Sequence, residues 1–273
     1  MTLGESWLNV AEGNKMSSSD ERKKKARKSG GMDKLSSLPD SILHRILSFL
    51  YTSEAIRTCV LSKRWRNLWV SLPDLHFDSS NFESKASFRK FVRSVLSLRL
   101  DNSLCKFHFH CHSTWKTDVP LINRVTRYLV SHHVQHLHLE SGFDPDCKVD
   151  IFAPNLTSFR CYLQMGDFVF KEINLPSLNL VEVHFCGSSM HVPLVINMFQ
   201  AFHNAQFVKL HTDTTEVLSL GSGLLENQPC PFTNLKSLKL YLGHKRKLLR
   251  IPFHVMRYLL GDLRSGDFTI VKS

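Results

Sequence analysis

The sequence predicts a mixed chain: three short α-helices, then an irregular repeat array of the α/β kind built on a parallel β-sheet. Three observations predict it. Apolar residues recur at helical spacing from Ile42 to Val60. A pattern close to L-x-x-L-x-L returns again and again between Leu72 and Leu240. Hydrophobic residues make up 42% of the 273 residues, enough to bury a sizeable core.

Residues 1–32 read as a disordered basic tail. Ser17 to Ser19 are followed by the run Glu21-Arg22-Lys23-Lys24-Lys25-Ala26-Arg27-Lys28 and then Ser29-Gly30-Gly31. Such a run reads as a nuclear import signal or as a solvated charge run. Part of the formal net charge of +11 sits here. Nucleic acid is not an expected partner, because no aromatic or base-reading module accompanies the basic residues. The expected location is nucleus and/or cytoplasm, with no membrane partner. No apolar run approaches the ~20 residues that span a bilayer, and the N-terminus lacks a signal-peptide core. The seven cysteines are odd in number and contain no C-x-x-C pair, against a disulfide framework or a paired zinc site.

Residues 33–73 predict three helices. Ser37 is the expected N-cap, with Asp40 three residues on and Pro39 in the first turn. Ile42, Leu43, Ile46, Leu47 and Leu50 form one stripe, and Ala55, Ile56, Cys59 and Val60 a second. Ser62 caps a third helix carrying Trp65, Leu68 and Trp69. A segment this small cannot bury so much apolar surface within itself. The surplus faces a partner or packs on the following domain. Leu38-Pro39-Asp40, the pair Ile46-Leu47 and the run CVLSKRWRNLW from Cys59 to Trp69 resemble an F-box. The combination is closest to the plant F-box proteins with leucine-rich repeats, some of which carry a further FBD domain. One departure is Tyr51, where that family commonly has proline.

The resemblance implies a three-helix motif that docks on the Skp-type adaptor of a cullin-based ubiquitin ligase. Leu38, Pro39, Ile42, Leu43, Ile46, Leu47, Val60, Leu61, Trp65 and Trp69 would carry docking or the motif's own core. It also implies a short family member lacking the FBD domain.

Residues 74–261 carry most of the repeat array, which begins at Leu72. The matches are Leu72/Leu75/Phe77, Leu104/Phe107/Phe109, Val134/Leu137/Leu139, Leu156/Phe159/Cys161, Leu178/Val181/Val183, Ala205/Val208/Leu210 and Leu235/Leu238/Leu240. Their first positions lie 22 to 32 residues apart, close to the ~20–29 of leucine-rich repeats. Each short strand buries alternate residues, and one repeat cannot cover its own apolar face, so neighbours stack into a solenoid. Connecting helices are expected over Phe88–Leu100, Thr117–Leu129 and Pro193–Phe202, with a last one after Pro252 carrying Val255, Tyr258 and Leu259. Gly221-Ser222-Gly223 reads as a turn, and 262–273 as a short C-terminal tail.

If the strand leucines point inward, the residues between them form rows on the other face. One row is His76, His108, His138, Arg160, Glu182, Lys209 and Lys239. The next is Asp78, His110, Glu140, Tyr162, His184, His211 and Tyr241. Repeat proteins bind partners on such extended faces. His108, His110, His138, Arg160, Tyr162, Glu182, His184, Lys209, His211, Lys239 and Tyr241 are therefore the candidate contacts for an unknown protein substrate. The plainer reading is the polar side of a half-solvated sheet. Alternation of His108, His110 and His112, beside His136 and His138, makes a metal site geometrically conceivable. No cysteines or carboxylates are arranged to complete it, so neither metal nor cofactor is expected. The phosphate-binding, nucleophile-elbow and dinucleotide motifs are absent, against an enzyme. The expected function is the substrate-recognition subunit of a Skp–cullin–F-box ubiquitin ligase. The alternative is a truncated repeat module that binds the adaptor without productive ubiquitination.

Overall fold

The computed structural model describes residues 35, 37–99, 104–111, 118–142, 148–164, 169–242, 251–261 and 268–272. The basic run 21–28 and His112 lie outside them. The chain divides into two units, Met1–Asn102 and Ser103–Ser273.

The first unit opens with helix α1, Asp40–Leu47. It begins later than the sequence suggests. Pro39, with no N–H to satisfy, is the N-cap residue, two positions after the expected Ser37. Leu43 and Leu47 are buried while Ile42 and Ile46 face out. Helix α2, Thr52–Arg57, follows at once. Tyr51 sits at φ −59°, the angle proline would impose. It also donates its N–H to Glu54 Oε2 at 3.1 Å, which proline could not do. The second stripe ends in a 3₁₀ segment, Thr58–Val60, and the expected third helix is a 3₁₀ segment, Trp65–Ser71. Trp65, Leu68 and Trp69 are buried there, and α1 packs against the second of these segments. Strand β1, Asp74–Asp78, and helix α3, Lys85–Leu98, complete the unit. The Ser84 hydroxyl caps α3 by accepting from the Ser87 N–H at 3.2 Å. Its buried face is Phe88, Phe91, Val92, Val95 and Leu96.

The second unit is a mixed α/β structure on a parallel sheet. Its strands are β2 (Lys106–Cys111), β3 (His136–Gly142), β5 (Ser158–Gln164), β7 (Leu180–Cys186), β8 (Phe207–His211), β9 (Ser237–Leu242) and β10 (Phe268–Lys272), paired in that order. Strands β4 (Lys148–Phe152) and β6 (Val169–Asn174) pair separately. Helices α4 (Val119–Ser131) and α5 (Val192–Ala201) lie in connections between strands. Asp118 caps α4, accepting from the Leu121 N–H at 3.1 Å. Helix α8, Phe253–Leu260, stops at Gly261, whose φ of +57° and ψ of −129° suit glycine alone.

Register is kept by one repeated device. The residue before each of β2, β3, β5, β7 and β8 offers its carbonyl to two successive N–H groups of the next repeat. Cys105 accepts from Gln135 and His136, Gln135 from Thr157 and Ser158, and Thr157 from Asn179 and Leu180. Asn179 then accepts from Gln206 and Phe207, and Gln206 from Lys236 and Ser237, all at 2.8–3.2 Å. The strands therefore start level although the repeats differ in length. Phe107, Leu137, Phe159, Val181, Val208 and Leu238 stand side by side in the core, followed two residues on by Phe109, Cys161, Val183, Leu210 and Leu240 with a half-buried Leu139 between the first two. Cys161 behaves there as a small hydrophobe, its thiol pushed up by burial.

Three elements depart from the expected layout. The segment read as a tail contributes β10, which pairs with β9. Gly221-Ser222-Gly223 leads into a short helix, α7, Ser222–Leu225. Helix α6, Thr212–Ser219, leaves the sheet straight after β8. Its Thr214 hydroxyl takes over where β8 stops pairing with β7. It accepts from the Phe185 N–H at 2.9 Å and donates to the Val183 carbonyl at 3.3 Å. Thr214→Val keeps the shape but leaves a buried N–H without a partner. It is expected to cost about 1–3 kcal/mol, read as a lower urea midpoint with an unchanged slope.

Candidate functional site

Two surfaces carry the residues singled out by the sequence, one in each unit. In the first, burial sorts the ten residues of the helical segment. Leu43, Leu47, Trp65 and Trp69 are 0–3% exposed and make its core. Ile42 is 46% exposed, Ile46 38%, Val60 74% and Leu61 59%. Leu38 is half-buried and Pro39 exposed. Sequence reasoning missed Phe49, which is also exposed. The signal was there: 42, 46 and 49 are i, i+4 and i+7 on one face. The Arg45 guanidinium lies 4.9 Å from the Phe49 ring centroid. Arg64 Nε donates to Asp40 Oδ1 at 2.8 Å, holding the turn that carries Val60 and Leu61 to the start of α1.

In the second unit the exposed sheet face brings the predicted rows into register. His108, His138, Arg160, Glu182, Lys209 and Lys239 are neighbours across successive strands, as are His110, Glu140, Tyr162 and His184, and His211 with Tyr241. Parallel pairing of equal positions makes these rows, since every second residue of a strand points to one face. His76 and Asp78 belong to the first unit.

Glu182 is the electrostatic centre of the face, with a side chain only 12% exposed. The Tyr162 hydroxyl donates to its Oε1 at 2.5 Å. Arg160 Nε lies 3.3 Å and Lys209 Nζ 3.5 Å from Oε2, and His211 Nε2 lies 4.0 Å from Oε1. His211, then the Tyr162 hydroxyl and the two cations, hold the carboxyl down at about 2 against the opposing effect of burial. Burial and the hydrogen bond to Glu182 push the Tyr162 phenol well up.

Around this centre the rings form a ladder. His108 meets His138 edge-on at 5.0 Å, and their Nδ1 atoms are 3.2 Å apart. His138 and Tyr162 are 5.2 Å apart. Tyr162 presents its ring edge-on to His184 and His211, which stack on each other at 4.5 Å. His211 stacks in turn on Tyr241 at 5.5 Å. Lys239 and Arg160 are exposed members of the face, and His110 is half-buried.

Sequence reasoning missed two neighbours of this ladder. His184 Nε2 lies 2.7 Å from Asp213 Oδ2, and Cys186 Sγ lies 3.4 Å from each of those atoms. Cys186 was legible as the next alternate position on β7. Asp213 was not, because it arrives from the first turn of α6 and belongs to no strand row. This is the donor set, among the described residues, with the spacing of metal ligands.

Residues 35–77 match the F-box domain family. An F-box/LRR-repeat protein of Arabidopsis thaliana is 36% identical over 215 residues, covering 74% of this chain and 47% of that protein. A putative FBD-associated F-box protein of the same plant is 27% identical over 237 residues, covering 83% of this chain and 49% of its own length. The chain is a plant F-box/LRR protein. An F-box/FBD/LRR-repeat relative is 33% identical over 162 residues, 56% of this chain and 34% of that one. The chain thus spans about half the length of the first two relatives and a third of the last. The F-box match covers both helices, both 3₁₀ segments and most of β1.

In this F-box/LRR protein the folded state favours the ionised Glu182 more than the unfolded state does. That carboxylate therefore contributes stability above its ordinary 4.5, and the contribution fades as pH falls from there towards about 2. Glu182→Gln is expected to flatten this part of the profile. Urea midpoints of the two chains, compared at pH ~5 and pH ~3, should differ most at the higher pH.

Proposed function

We propose that this F-box/LRR protein is the substrate-recognition subunit of a Skp–cullin–F-box ubiquitin ligase. Its F-box docks on a Skp-type adaptor, and through the adaptor on a cullin. The observation that carries the reading is the sorting of apolar residues in the F-box. Leu43, Leu47, Trp65 and Trp69 fill its interior, while Ile42, Ile46, Phe49, Val60 and Leu61 stay in water. A group of large apolar side chains left outside a filled core supports a protein-docking role. Leu38 and Pro39 lie where the chain enters α1.

The repeats form a solenoid whose exposed face holds an unknown protein substrate. His108, His110, His138, Arg160, Tyr162, Glu182, His184, Lys209, His211, Lys239 and Tyr241 are its contacts. Part-exposed rings with polar edges suit this task, because they offer area and hydrogen bonds at little conformational cost. The chain contributes no bond-making step. It holds the substrate beside the ubiquitin-charged enzyme and so raises their effective concentration. The complex works in the nucleus and/or the cytoplasm, with the basic run 21–28 supplying import.

Co-expression with a Skp-type adaptor separates docking from core. Val60→Glu combined with Leu61→Glu is expected to weaken adaptor binding by about 2 kcal/mol or more, roughly 30-fold, with the unfolding midpoint little changed. Trp65→Ala is expected to lose binding through a stability loss of about 3–5 kcal/mol. Full adaptor binding by the double glutamate variant would sink the docking surface proposed here.

A further inference from the structure

Beyond the receptor reading, and sharing His184 with its contact face, a cluster at the edge of β7 points to a second kind of site. We infer that His184, Cys186 and Asp213 form a three-ligand site for a divalent metal ion of the zinc class. The donors are an imidazole nitrogen, a thiol sulfur and a carboxylate oxygen, one from each residue.

The geometry is built by the backbone. His184 and Cys186 are alternate residues of β7, so both side chains leave the same face of the sheet. Asp213 comes from the first turn of α6. Thr214 pins that turn to β7 through the Phe185 N–H and the Val183 carbonyl, the backbone that also carries His184. The His184 ring is steadied by its stack on His211, 4.5 Å away and 10° from parallel. Three donors from two elements therefore meet without any loop having to close.

The distances fit the chemistry. Zinc bonds of ~2.3 Å to sulfur and ~2.0–2.2 Å to nitrogen and oxygen place tetrahedral ligands about 3.4–3.6 Å from one another. Cys186 Sγ lies 3.4 Å from both His184 Nε2 and Asp213 Oδ2. The His184–Asp213 pair, at 2.7 Å, is at hydrogen-bond length. It must open by roughly 0.7 Å when an ion replaces the shared proton, a movement open to the part-exposed Asp213 carboxylate. Thiolate and carboxylate together balance the two charges of the ion. A thiolate–imidazole–carboxylate set selects zinc-class ions over calcium or magnesium, which take oxygen ligands.

A nucleophile relay does not fit the same residues. In such a relay the acid and the nucleophile bond opposite nitrogens of the ring. Here the sulfur and the carboxylate both lie on Nε2. Three protein ligands leave one tetrahedral position, as in zinc sites that keep an exchangeable ligand. All three residues are part-exposed, so water reaches that position.

The test is a cobalt titration of the untagged full chain, read by absorbance and reversed with zinc. Cobalt in this site gives a thiolate charge-transfer band and the intense visible bands of tetrahedral coordination, saturating at one ion per chain. Cys186→Ser should abolish the thiolate band while circular dichroism shows a folded chain. Asp213→Asn and His184→Gln should weaken binding by more than the 10–100-fold seen for the loss of a supporting residue. Cys105→Ser should change nothing. Because binding displaces the thiol proton, it should weaken as pH falls. No thiolate band in the folded chain, or a band that survives Cys186→Ser, overturns the site. If Cys186→Ser does not fold, Asp213→Asn decides, and unchanged cobalt affinity in that variant overturns it equally.

Discussion

The carbonyl at the foot of β2, β3, β5, β7 and β8 is the constraint on which the rest of the sheet depends. It accepts two successive N–H groups from the next repeat and so decides which residue of that repeat begins the strand. A slip of one residue would turn every core side chain out to solvent and every row residue into the core. The repeats otherwise differ in length, and their connections range from helices to the small β4–β6 ladder. The shared joint lets such unequal units stack, and it makes the apolar columns and the polar rows two sides of one register.

The parts that follow from that alternation were legible in the chain. Each L-x-x-L-x-L match from Leu104 to Leu240 falls on a strand of the main sheet, because a two-residue period leaves little choice about which side chains go in. The helices α4, α5 and α8 showed through their apolar spacing. Helix α6 did not, because Thr212, Thr214 and Thr215 have low helix propensity and are buried there for their hydroxyl groups as well as their bulk. Strand β10 was hidden for another reason. Phe268 to Lys272 lacks the leucine pattern of the earlier repeats, and its place is set by pairing with β9.

The candidate surfaces divide in a similar way. The rows on the sheet could be written down from strand spacing, but the charge arrangement within them could not. That Arg160, Tyr162, Lys209 and His211 converge on Glu182 depends on side chains leaning across strands. In the F-box a single apolar stripe held both core and surface residues. Composition does not separate Leu43 from Ile42, since only the packing of α1 against the tryptophan-bearing turn decides which of two adjacent aliphatic residues is covered. The third helix showed the same limit. Its apolar spacing was real, yet the segment winds in 3₁₀ turns.

The clamp around Glu182 has a consequence for recognition. Arginine and lysine side chains lose up to about 2 kcal/mol of rotational freedom each when they are fixed. Arg160 and Lys209 lie against a shared carboxylate of their own chain. Their ordering is therefore charged to folding and not to association. The face therefore holds its rings and cations in an arrangement set by the chain's own carboxylate.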